Sequence, residues 1–162
     1  MPNTQRQTPG AERIRPTCRA ALDAGLALAP NDRELLFRSG NLYHHLGDHA
    51  AAERFYLRLF NYREDGQIDS LDVTTTTYKG RHNYALVLQD LNRFDDAEAQ
   101  LRIGLAANPA FAPSWNALGA LFVRRRRFED ARSVLEKLEG LSAQLAEALR
   151  ARIAEGESVR VV

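Results

Sequence analysis

Two stretches 79 residues apart, GLALAPNDRELLFRSG (Gly25–Gly40) and GLAANPAFAPSWNALG (Gly104–Gly119), carry small, apolar and turn-forming residues at matching spacings. The match extends further along the chain. Trp115, Leu118, Gly119 and Phe122 are followed by Phe128, Ala131, Leu135 and Leu138. Thirty-four residues earlier the same slots hold Arg81, Tyr84, Ala85 and Leu88, then Phe94, Ala97, Leu101 and Gly104. Another 45 residues back (34 plus an insertion of 11) they hold Leu36, Ser39, Gly40 and Tyr43, then His49, Ala52, Tyr56 and Leu59. Cys18, Leu22, Gly25 and Pro30 fill the second-half slots of a preceding half-unit. A period of this length marks a repeat array, in which stacked neighbours bury the apolar face that one unit cannot bury alone.

Within each half-unit the apolar residues recur at spacings of three and four, which places them on one face of a helix. Gly40, Ala85 and Gly119, with Ala52, Ala97 and Ala131, sit where two helices approach closely and larger side chains would push the axes apart. LGDH (Leu46–His49) and LNRF (Leu91–Phe94) supply turn residues between the halves. Asn31-Asp32 and Asn108-Pro109 supply stop and restart signals between units. The spacing predicts helices near 17–28, 33–46, 50–61, 78–91, 95–106, 113–125, 128–138 and 141–154. No segment alternates well enough to predict a strand.

The pattern Trp-x2-Leu-Gly-x2-aromatic followed by Ala-x3-Leu resembles the tetratricopeptide repeat, and the third unit matches it best. The first unit lacks the tryptophan and has Glu64 where a terminal proline is usual; the second has Arg81 in the tryptophan slot. The resemblance implies an all-α, right-handed α-solenoid of antiparallel helix pairs, the first helix of each pair lining a concave groove. The expected organisation is an N-terminal arm over 1–15, disordered or extended, and a half-repeat helix over 16–30. A first unit over 31–63, an insertion loop over 64–77, a second unit over 78–111 and a third over 112–140 follow. A capping helix over 141–157, or the start of a truncated fourth unit, and a tail over 158–162 complete it. The four consecutive threonines of the insertion are poor helix formers, which predicts an irregular surface crossing. The stretch YKGRHNYALVLQDLNRFDDAEAQLRIGLAANPAF, through Tyr78, Gly80, Arg81, His82, Asn83 and Ala85, is also similar to the repeat tails that follow a family 2 glycosyltransferase domain in some bacterial proteins. That likeness implies an accessory role beside sugar transfer, since 162 residues leave no room for the catalytic domain itself.

Charge balance bears on the four arginines Arg124–Arg127. Lys plus Arg number 22 against 21 Asp plus Glu, whereas a nucleic-acid binder usually shows a basic excess over the whole domain. In the repeat register these arginines end one helix and enter its turn, where the helix C-terminal partial charge favours cations. Glu129 and Asp130 then open the next helix, where anions are favoured. No apolar run is long enough to span a bilayer, and MPNTQRQTPGAERIRP offers no signal-peptide core. The single cysteine, Cys18, excludes an internal disulfide and occupies an alanine slot, which predicts a small buried side chain in a reduced, cytoplasmic setting.

Catalytic constellations are scarce: there is no phosphate-cradling glycine loop, no HExxH and no cysteine pair. His45 and His49 are four apart, but Gly47 and Asp48 break the helix between them and His49 fills an inward-facing slot, so no metal, cofactor or enzymatic activity is expected. Helical phase turns Phe37, Arg38, Asn41 and His45 of the first unit toward the concave side. It does the same for Lys79, His82, Asn83 and Leu86 of the second, and for Asn116 and Arg124 of the third. Asparagine is a poor helix former yet can both donate to and accept from a peptide backbone. Some tetratricopeptide domains clamp the C-terminal carboxylate of chaperone tails, and Asn41 and Asn83 occupy the clamp's asparagine slots. Phe37, Pro113 and Ala117 replace its lysines and arginine. The expected partner is therefore a protein or peptide segment, with Arg38 and Lys79 able to receive one acidic group. Nucleic acid and membrane are not expected partners, and no oligomeric state follows.

Overall fold

A computed structural model of the chain describes residues 9–61 and 75–158. Every regular element among the described residues is helical. The chain divides into two compact units, residues 1–64 and 65–162.

The first unit holds α1 (Pro9–Leu28), α2 (Arg33–His45) and α3 (His49–Asn61). Asp32 caps α2 by accepting the amide of Leu35 at 2.8 Å, and Asp48 accepts the amide of Ala51 at 2.9 Å at the start of α3. These caps satisfy donors that the first helical turn leaves without partners. α2 and α3 form an antiparallel hairpin around Leu36, Ala52, Tyr56 and Leu59, each fully buried. Gly40 is required there: a Cβ would lie 2.8 Å from the Tyr56 ring.

α1 departs from expectation in two ways. Residues 9–15, assigned to an arm on sequence, belong to the helix. Pro9 opens it at a position whose missing N–H costs nothing. Cys18 is exposed, although Ala52, Ala97 and Ala131 in the corresponding slots are fully buried. In the hairpins that slot faces the first helix of the pair; α1 is a second-half helix without such a partner among the described residues.

The second unit holds α4 (Gly80–Asp90), α5 (Phe94–Ala107), α6 (Ala112–Arg124), α7 (Phe128–Glu139) and α8 (Ala143–Ser158). α4 pairs with α5 and α6 with α7, while α8 packs on both α6 and α7. Leu88, Leu101, Leu121, Ala131, Leu138 and Leu149 are fully buried along this stack. Gly119 admits α8, since a Cβ there would lie 2.5 Å from Leu149 Cδ2. Part of the insertion expected as loop is helical: Thr75–Lys79 forms a π-helical turn leading into α4. Its backbone passes close to α5, where a Cβ on Gly104 would be 3.3 Å from the Tyr78 carbonyl oxygen. Residues 62–74, and the terminal tail beyond Ser158, lie outside the described residues.

The three hairpin turns are built alike. Leu46, Leu91 and Arg125 amides bond to Leu42, Val87 and Leu121 carbonyls; Asp48, Arg93 and Arg127 amides bond to Tyr43, Leu88 and Phe122 carbonyls. Between them stand Gly47 (φ 77°), Asn92 (φ 59°) and Arg126 (φ 57°), all left-handed. Glycine and asparagine adopt that conformation readily; arginine does so at a cost of about 1 kcal/mol.

Candidate functional site

In the second unit α4, α6 and α8 border a cleft of about 330 Å³. His82, Leu86 and Gln89 of α4 form one wall, Asn116, Ala117 and Ala120 of α6 the next, and Leu145 and Arg152 of α8 the third. Ala120 and Arg152 also line a second, more open hollow of about 460 Å³, together with Val123, Arg124, Glu155 and Gly156. The two thus adjoin at Ala120 of α6 and Arg152 of α8.

Within the cleft, three polar groups differ in how they are satisfied. His82 is half-buried; its Nδ1 lies 3.2 Å from Oγ of buried Ser114, and its ring meets the Phe111 ring edge-on at 5.5 Å. Burial disfavours the imidazolium and lowers the His82 pKa below its ordinary 6.5. By contrast Asn116 Oδ1 and Gln89 Nε2 are buried atoms with no hydrogen-bond partner. Each such atom forfeits its hydration, typically about 1–3 kcal/mol, unless something else supplies the bond. Both residues line the cleft, although these two atoms are themselves shielded. The side-chain amides must therefore turn to offer an acceptor and a donor to a polypeptide's amide and carbonyl.

His82, Leu86 and Asn116, expected at the groove from helical phase, meet in the cleft, and Arg124 lines the adjoining hollow. The other expected residues stand elsewhere. Lys79 lies in the π-helical turn with its ammonium 5.9 Å from the Tyr78 ring centroid, and Asn83 is half-buried on α4. On α2 of the first unit, Phe37 is half-buried, His45 is exposed and Arg38 donates to Glu34 at 2.6 Å. Asn41 is engaged within its own hairpin, accepting from the Tyr56 hydroxyl at 2.6 Å.

Gln89, Leu145, Arg152 and Glu155 were not found from the sequence. A signal was available for α8. Stepping Leu118 and Phe122 forward by 34 lands on Arg152 and Gly156. The first pair is buried in α6, whereas Arg152 is exposed. Neither reading of this helix, as a cap or as the start of a fourth unit, was carried through to that replacement.

The four arginines form the turn expected of them, and Arg124, Arg125 and Arg127 are anchored across it to α5. Arg124 stacks 4.5 Å from the Phe94 ring centroid and reaches Asn92 Oδ1 at 3.3 Å. Arg125 pairs with Asp95. Arg127 donates to Glu98 at 2.6 Å and to Asp130 at 2.6 Å, and lies 4.4 Å from the Phe122 ring centroid. The Asp130 hydrogen bond, followed by the contact with Glu98, raises the Arg127 pKa further above the ordinary guanidinium value. In the second unit Arg81, in the tryptophan slot, donates to Gln100 at 2.6 Å, and burial lowers its pKa. Trp115 itself is only half-buried, its Nε1 donating to the Pro109 carbonyl at 2.8 Å.

Among solved structures the chain is similar to PilW, a widely conserved type IV pilus biogenesis factor (20% identity, 92% of this chain and 70% of that one, TM-score 0.66). It is also similar to the TPR2B domain of yeast Sti1 in complex with pHsp70 (18%, 76% and 96%, TM-score 0.61). The first TPR of Spaghetti (RPAP3) bound to HSP90 peptide SRMEEVD is similar as well (19%, 78% and 93%, TM-score 0.61). No curated protein matches. At these identities the structures speak to the fold, an α-solenoid of antiparallel helix pairs. The model of the tetratricopeptide repeat matches residues 19–65 and 84–146, and with most of its length so matched the chain belongs to the tetratricopeptide repeat family.

Proposed function

We propose that the chain is a non-enzymatic interaction module that holds an extended segment of a partner protein in the cleft bordered by α4, α6 and α8. The observation that carries this is a preformed concavity lined by two side-chain amides, Asn116 and Gln89, whose Oδ1 and Nε2 have no partner within the protein. Helices that are already folded need little ordering to bind, so micromolar affinity, about −8 kcal/mol, is the expected range. That Sti1 and Spaghetti domains of the same fold are complexed with pHsp70 and an HSP90 peptide supports the reading. On this proposal Lys79, Asn83 and Arg124 of the same unit add flanking contacts. Asn41 contributes through the fold of its hairpin.

Affinity capture with mass spectrometry, comparing wild type with a Gln89→Ala, Asn116→Ala double variant, tests the proposal. A partner retained by the wild type and lost by the folded variant supports it; equal retention refutes it. The narrower role suggested by the likeness of residues 78–111 to glycosyltransferase tails requires a nucleotide-sugar domain encoded beside this one, which its genomic neighbourhood would reveal.

A further inference from the structure

Arg152 projects from α8 at the junction of the two hollows, lining both. Most arginines of the second unit are committed. Arg93, Arg102, Arg125, Arg127, Arg132 and Arg150 each pair with a carboxylate. Arg152 is exposed and makes no ion pair among the described residues. No carboxylate lines the cleft itself; Glu155, three residues on along α8, lines the adjoining hollow together with Arg152. The cleft floor beside it is apolar and shallow-sided, made by Leu86, Ala117, Ala120 and Leu145.

Resting on the groove reading above, we propose that the cleft selects an extended segment carrying an acidic side chain, received by Arg152, next to a small apolar residue seated on Ala117 and Ala120. Three features converge on that chemistry. Gln89 and Asn116 line the cleft and, with their side-chain amides turned into it, supply a donor and an acceptor for one stretch of backbone, whatever its sequence. The alanines leave room for a side chain but offer it no polar partner. Arg152 provides a fork-shaped donor that is in no ion pair among the described residues, and such a guanidinium favours a carboxylate with which it can form two hydrogen bonds. Backbone and side-chain recognition thus fall on different residues and can be separated.

The test uses the full chain, labelled at its single exposed cysteine, Cys18, and an array of linear heptapeptides in three sets with Glu, Gln or Lys fixed at the centre. The expected result is retention of the Glu set above the Gln set, with the Lys set weakest. Arg152→Gln should lower binding of the Glu set by about fivefold and leave the Gln set unchanged, as for a partly exposed charge pair. Gln89→Ala and Asn116→Ala should weaken all three sets together. The preference of the unaltered protein for Glu should also shrink between about 50 mM and about 300 mM salt, an arm that needs no variant. Peptides bound without preference for Glu, or a Glu preference that survives Arg152→Gln, would overturn the acidic specificity while leaving the groove reading in place. Failure of every set to bind would overturn both.

Discussion

The hydroxyl of Tyr56 donates to Oδ1 of Asn41 at 2.6 Å, joining the two helices of the first hairpin directly over Gly40. Tyr56 is wholly buried, so its hydroxyl depends on protein partners. An asparagine that sequence reading offers to a ligand is therefore part of the hairpin's own interior. Asn41→Ala is expected to destabilise the fold by about 1–3 kcal/mol through the buried hydroxyl it leaves behind. Adding Tyr56→Phe should recover part of the loss, and chemical denaturation of the two single variants and the double variant measures the coupling.

Asn116 should behave in the opposite way. Its Oδ1 is buried without a partner, and asparagine is a weak helix former in the middle of α6. Asn116→Ala is expected to leave stability unchanged or raise it by about 0.5–1.5 kcal/mol. A clear fall in thermal midpoint would show that the side chain is already satisfied.

Arg126 holds φ at 57° in a turn where the first hairpin uses Gly47. Its side chain is exposed, so its replacement removes little packing. Arg126→Gly should stabilise the chain by about 0.5–1 kcal/mol, the relief of left-handed strain less the added freedom of the unfolded glycine. Arg126→Ala removes the same exposed side chain but keeps a Cβ in the left-handed turn and should bring no such gain, so comparing the two denaturation curves isolates the conformational effect.

Glu98 receives Arg127 at 2.6 Å and Arg102 at 2.8 Å while its side chain is only 14% exposed. Removing its charge leaves Arg127 with Asp130 alone and Arg102 to solvent. Glu98→Gln is expected to cost about 1–2 kcal/mol at low salt and less at high salt, because Arg127 is over a third exposed and its share is screened. Urea titrations at two ionic strengths would detect both parts.

Burial lowers the His82 pKa below 6.5, so the unfolded chain takes up this proton at a higher pH than the folded chain does. The unfolded state then binds more protons across that window, and stability rises with pH through it. The contribution is complete above the unfolded value and is lost as pH falls through the folded one. His82→Asn should flatten that part of the pH–stability profile, leaving the contributions of the carboxylates at lower pH unchanged.

Much of the molecule was legible in its order of residues. Helix ends fell within a few residues of expectation for α2 to α7, because apolar spacing and turn chemistry are local properties. The three left-handed turn positions, Gly47, Asn92 and Arg126, recur at the same step as the landmarks, 45 and then 34 residues. The start of α1 and the helical threonines before Tyr78 were missed, since propensity there is overridden by neighbouring helix. Cys18 was expected to be buried by analogy with Ala52, yet burial needs a helix on the other side.

The repeat register by itself determined which helices pair, where they turn and which small residues lie between them, because all of these follow from periodicity along one chain. Only the tertiary structure decided which polar groups are spent and which remain open. Asn41 is used by Tyr56, 15 positions away, while Asn116 and Gln89 face a shared cleft with no partner of their own. Arg152 joined that cleft because α8 packs on α6, bringing a charge to residues 70 positions earlier, such as His82. Hydrogen-bond satisfaction depends on what comes to lie opposite in space, and no local pattern encodes it.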